Sequence, residues 1–208
     1  MRVRKFSQQV LLLLGLSPAT SLFAQKSTVQ CPPADLRQLQ APAECGVQCG
    51  VDRWGIKTLS DRYRGRVRLP AVQTTITALA GVPAPSRRPP RTRVAPQETT
   101  IYCLDAYVIS WDEKEDRDIH LTLLDPIDQR TTLIAEIPDP GCAGSCSSGY
   151  AGLYADARRR FYEGLQRATT DTVRVRIMGV GFFDKNHGQS SAAPNLIELH
   201  PVLAISFP

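Results

Sequence analysis

The chain has 208 residues, of which 42% are hydrophobic, 22% charged and 7% aromatic. This is ordinary globular composition and excludes a disordered, collagenous or coiled-coil chain. Of the formal charge of +5, three cations (Arg2, Arg4 and Lys5) lie in the first 24 residues, which hold no acid, and the remaining +2 is a poor argument for a nucleic-acid partner.

Residues 1–24 read as a secretory signal peptide. Met1–Lys5 is basic, Val10–Leu16 is apolar, and Ser17–Ala24 supplies a polar break with a cleavage point after Ala24. The apolar run is far shorter than the roughly 20 residues that span a bilayer, and no later stretch approaches that length. The expected address is the periplasm or the medium, with no transmembrane segment.

Six cysteines follow: Cys31, Cys45, Cys49, Cys103, Cys142 and Cys146. An even number in an exported chain reads as a disulfide framework. The pairs Cys45/Cys49 and Cys142/Cys146 leave a four-thiolate zinc site as an alternative, although their x3 spacing is unusual for zinc. Cys103 lies in a strand-like run and has no local partner.

Residues 25–50 form an irregular Cys/Pro-rich arm. Residues 51–83 form a short pre-domain segment in which Thr74 or Thr75 caps a helical turn ended by Gly81. Residues 84–96 are a Pro/Arg-rich linker with Arg87, Arg88, Arg91 and Arg93. Its prolines forbid helix and favour an extended, solvated path, or an arm that grips an anionic partner.

The patterning sharpens over residues 97–208. Thr99–Trp111 is a β-branched and aromatic strand, followed by the acidic turn Asp112–Asp118. Ile119–Leu124 and Thr131–Ile137 are the next two strands. Leu153, Ala157, Phe161, Leu165 and Ala168 recur at helical intervals. Thr172–Phe183 alternates as a fourth strand, with Gly179 and Gly181 suited to a bulge, and Leu196–Phe207 is the fifth. The order β-β-β-α-β-β resembles the OB-fold, a five-stranded Greek-key barrel with a helix at one end. The expected fold is therefore mainly β with one helix: an OB-like barrel preceded by the Cys/Pro-rich arm. The strings DRWGIKTLSD, HLTLLDP, TTLIAEIPDP and GVGFFDKNHGQSSAAPNLIELHPVL are similar to those of a set of exported bacterial proteins without an assigned activity. That resemblance covers most of residues 51–207; it implies export and these domain limits and carries over no catalytic residue.

Candidate chemistry gathers late in the chain. His120 lies opposite Ile119, Leu121 and Leu123 on its strand. Glu198 and His200 share a face of the last strand, because side chains two apart point the same way. On the OB topology the third and fifth strands are neighbours, which brings in Glu136. Asp184, His187, Glu198 and His200 are therefore candidate ligands for one zinc or manganese ion, an arrangement suited to a metal-dependent hydrolase acting on phosphodiesters. No H-E-x-x-H motif, G-x-S-x-G elbow or phosphate loop supports an enzyme. The reading preferred here is a non-catalytic binding or envelope-associated module without a cofactor. Its candidate face is His120, Glu136, His187, Gln189 and Asn195, and its partner is an exported protein, peptide or saccharide. The turn 112–118 carries a local charge of −3 where OB-folds usually hold nucleic acid, and so disfavours that partner.

Overall fold

The structure, a computed structural model, describes residues 30–34, 44–86, 91–186 and 188–208. Residues 1–24, expected from the sequence to be a signal peptide, lie outside these residues, as do Arg87, Arg88 and His187.

Strands β2 (Thr100–Glu113), β3 (Ile119–Leu124) and β4 (Thr132–Ile137) follow one another as antiparallel neighbours joined by short turns. Helix α3 (Ala151–Arg167) then carries the chain across to β5 (Val173–Phe183), which forms a hairpin with β6 (Ile197–Ser206). Strand β6 runs parallel to β4, a pairing that needs a long crossover between them. Strand β5 pairs back onto β2 and closes a five-stranded barrel in the order β2-β3-β4-β6-β5. The length of β2 makes closure possible: residues 101–108 pair with β5 and residues 107–113 with β3. A register shift between Val108 and Ser110 bends the strand from one partner to the other. The mainly β, OB-like architecture read from the strand order is the architecture observed.

The barrel interior follows the period-2 pattern. Ile119, Leu121, Leu123, Leu133, Ala135, Ile137, Ile197 and Leu199 face inward and are fully buried. Phe161 and Ala157 of α3 fill this core from one side, and Ile76 and Leu79 of α2 (Ile76–Ala80) add to it. Thr75 caps α2 by accepting from the Ala78 amide at 3.1 Å. The buried helix face includes Tyr154 and Gly164, which the sequence periodicity does not single out.

Two elements lie outside the five strands read from the sequence. Strand β1 (Arg68–Gln73) adds to β2 in parallel at the edge of the sheet. Helix α1 (Trp54–Lys57) lies in the pre-domain segment. The Pro/Arg-rich stretch is not wholly a solvated linker: Arg93 is buried, donating to Asp61 Oδ2 at 2.5 Å and to the Glu98 carbonyl at 3.0 Å.

Three disulfides tie the arm to the barrel domain: Cys31–Cys103, Cys45–Cys146 and Cys49–Cys142. They use all six cysteines, so the four-thiolate zinc alternative is excluded. Among the described residues no helix is long and apolar enough to cross a membrane.

Glycine is required at Gly181, where the β5–β6 register shifts. A Cβ there would meet the Gln97 carbonyl oxygen at 2.5 Å and the Tyr102 ring at 2.8 Å. Gly181→Ala is expected to cost about 1–3 kcal/mol through this overpacking, measured by urea unfolding. An unchanged midpoint would show that the turn before β2 yields without cost.

Candidate functional site

The barrel's outer face over β3, β4 and β6 is polar and yet buried. His120 lies outward on β3, Glu136 on β4, and Glu198 and His200 on β6, each one step from the inward apolar residues. The β4–β6 register aligns Ile134 with Glu198 and Ala135 with Leu199, so Glu136 comes level with His200. Segment 50–61 covers this face instead of solvent. It is anchored by the two bridges of Cys45 and Cys49, and by Trp54, whose indole N–H donates to the Ala143 carbonyl at 2.6 Å. Arg53, in the left-handed region at φ 51°, makes a two-point ion pair with the buried Glu98, at 2.8 and 2.6 Å. This pair fixes the entry to α1 and brings Lys57 over the cluster.

The contacts form a chain of charges. His120 Nδ1 lies 2.8 Å from Glu136 Oε1, and His200 Nδ1 lies 2.6 Å from Glu136 Oε2. The other ring nitrogen of His200 hydrogen-bonds Asp118 Oδ2 at 3.1 Å. Lys57 Nζ is 3.6 Å from Glu136 Oε2 and 5.3 Å above the Phe182 ring, which also carries the Arg53 guanidinium at 4.7 Å.

This crowding shifts the ionisations. Burial works against charging the His200 ring, but the Glu136 carboxylate and the Asp118 hydrogen bond outweigh it, and its pKa is pushed up to about 9. For Lys57 burial again opposes the charge, and the carboxylates of Glu136, Asp184 and Glu198 raise its pKa nonetheless. Burial also works against Glu136, but the charge of His200 and the hydrogen bond from His120 hold it well below the usual carboxylate range. Glu198 goes the other way: burial, then the charges of Glu136 and Asp184, push it well up and favour its protonated form. Burial raises Asp118 as well, against the opposing pull of His200.

A cavity of about 560 Å³ opens above this floor. His120, Glu136, Asp184 and Gln189 line it with Lys57, so four of the residues singled out from the sequence meet at one opening. Its rim includes Glu115 and Asp116 from the β2–β3 turn and Lys185 from the β5–β6 loop, the last paired with Asp52 at 3.0 Å. Asp184, Glu198 and His200 of the proposed metal set are all buried. His187 lies outside the described residues. Asn195 is placed elsewhere: its amide donates to the Leu79 and Val82 carbonyls at 2.8 and 2.9 Å and holds α2 to the loop.

Asp118 and Lys57 complete the site without having been singled out. Asp118 reads as part of a solvated acidic tip, and residues 112–115 of that turn are indeed exposed, but Asp118 itself is fully buried beside His200. Its only signal is its position directly before the first residue of β3. Lys57 had no signal, since its placement depends on α1 folding back across the barrel. With Nδ1 directed at Glu136, His120 leaves Nε2 as the nitrogen able to meet a molecule in the cavity. Comparison with family models, curated proteins and solved structures finds no match for this chain.

Proposed function

We propose that the mature chain is an exported binding module without catalytic activity, and that it takes a small polar ligand in the cavity over β3 and β4. One observation carries this reading: the surface that OB-folds use for ligands, between the β2–β3 and β5–β6 loops, holds an open cavity whose floor is a rigid network of paired charges. Its volume of about 560 Å³ suits a small ligand. Five acids and three lysines line it, which favours a ligand bearing an amino group, as peptides and amino sugars do. The charged walls offer little to a lipid. Three disulfides support the reading of residues 1–24 as a signal peptide and an address in the periplasm or the medium.

The test is a nuclear magnetic resonance titration of oxidised mature protein with tri-alanine and, separately, with glucosamine. Saturable shifts are expected around Lys57, His120 and Gln189, with affinity at least tenfold weaker in His120→Ala. Shifts scattered over the surface, or none with either probe, would overturn the reading.

A second reading, metal-dependent hydrolysis of phosphodiesters, draws support from the ligand atoms of Asp118, Glu136 and His200, which lie within 4.8 Å of one another. Its test is cleavage of bis-p-nitrophenyl phosphate, with and without added zinc or manganese.

A further inference from the structure

Eight arginines of the described residues are ion-paired with a carboxylate. The stretch before β1 differs. Arg62, Arg64, Arg66 and Arg68 stand at every second position, and among the described residues none of the four is paired with a carboxylate. The nearest acid in sequence, Asp61, is already engaged: its Oδ2 holds Arg93 at 2.5 Å and its Oδ1 accepts from the Tyr63 amide at 2.8 Å. Four like charges are therefore gathered without neutralisation. The loop that displays them is tied down. The Arg64, Arg66 and Val67 amides donate to the Asp61, Tyr63 and Arg64 carbonyls at 3.2, 2.9 and 3.0 Å, and Val67 packs against the core around Ile101 and Met178. The Arg62 and Arg66 guanidiniums share the Tyr63 ring, 4.5 and 4.8 Å from its centre. Two cations on one ring repel each other, and an anionic partner relieves that repulsion.

We propose that residues 62–72 form a peripheral docking surface for a bilayer that carries anionic phospholipid headgroups. The cations alone fit any phosphate-bearing partner, since a guanidinium matches phosphate at two points and sheds water more readily than an ammonium. What selects the bilayer is the apolar surface beside them. Directly after the arginines, at the edge of the sheet, β1 leaves Leu69 56% exposed and Val72 49% exposed. Arginines that meet headgroup phosphates, next to aliphatic side chains that enter the interface, are the composition of surfaces that lie on membranes. A soluble polyanion such as a nucleic acid would use the charges and leave Leu69 and Val72 idle. None of these residues lines the cavity over β3 and β4, so the docking surface stands whether or not that cavity takes a ligand.

The experiment is flotation of oxidised mature protein with vesicles of phosphatidylglycerol and phosphatidylethanolamine, beside vesicles of phosphatidylcholine alone. Binding to the first is expected to be at least tenfold tighter than to the second, and to weaken as salt is raised. The double variant Arg62→Gln/Arg66→Gln is expected to bind at least tenfold more weakly, at about fivefold per cation on an anionic surface. Leu69→Ser/Val72→Ser is expected to abolish the part of the binding that survives high salt. Arg130→Gln/Arg167→Gln removes the same charge from exposed positions elsewhere and is expected to change binding by less than about twofold. Absence of binding to the anionic vesicles, or equal binding to both kinds, would overturn the proposal. So would equal losses in the two arginine pairs, since net charge alone would then explain the attraction. A single-stranded oligonucleotide bound more tightly than the vesicles, with no effect of Leu69→Ser/Val72→Ser, would make the partner a polyanion and overturn it as well.

Discussion

Glu98→Ala is expected to destabilise the protein by about 3–5 kcal/mol, the cost of leaving a buried charge without its partner. Its carboxylate is fully buried and takes four hydrogen bonds. Two come from Arg53, at 2.8 and 2.6 Å; the others come from the Phe183 amide at 2.8 Å and the Val94 amide at 2.6 Å. Truncation leaves the Arg53 guanidinium with only the Phe183 and Thr92 carbonyls, at 2.7 and 3.1 Å, and takes the side-chain acceptor from two amides. Glu98→Gln preserves the shape while removing the charge and one acceptor, and about 1–3 kcal/mol is expected for it. Urea unfolding of both variants checks the ranking. A loss under 1 kcal/mol for the alanine variant would mean that water already reaches Arg53. Because Arg53 leads directly into α1, the same variant is expected to loosen Lys57 over the cluster.

The second large effect concerns the paired bridges. Cys45–Cys146 and Cys49–Cys142 span 101 and 93 residues, but they run side by side, and once one has formed the other closes only a short ring. In the chain-entropy account, removing either alone by Cys→Ser pairs costs about 2–3 kcal/mol, whereas removing both releases the long loop and costs about 5–7 kcal/mol. In guanidinium unfolding the double removal is therefore expected to exceed the sum of the two single losses by about 1 kcal/mol. Equal and additive losses would show that the arm stays docked on its non-covalent contacts alone.

Much of the barrel is legible because each strand carries its own signal. Ile119–Leu124 alternates around His120 and is read at its observed limits, and β4, β5 and β6 are read within one or two residues. Strand β1 is missed for a physical reason. It is a short edge strand with mostly exposed side chains and Pro70 inside it, and its pairing relies on the backbone of β2. The site divides in the same way. Period 2 puts Glu198 beside His200, and barrel topology adds Glu136, so these three are accessible to reasoning from strands. Asp118, Lys57 and Arg93 are not, because all three are charged residues buried by segments packing on one another. Their burial is a property of tertiary contacts held by two disulfides, and no local periodicity encodes it.

The bridges also impose an order on how the molecule comes into being. Each joins a cysteine of the first quarter of the chain (Cys31, Cys45 or Cys49) to one of the barrel domain (Cys103, Cys142 or Cys146). A chain made from its N-terminus therefore displays three thiols long before any correct partner exists. An oxidant acting in order of appearance would join the early thiols to one another, and the native pattern then requires reshuffling by an isomerase. Segment 50–61 cannot be secured over the barrel until Cys142 and Cys146 have both arrived. The cluster around His200 is thus among the last parts to be assembled, after Cys142, Cys146 and His200 itself have all been made.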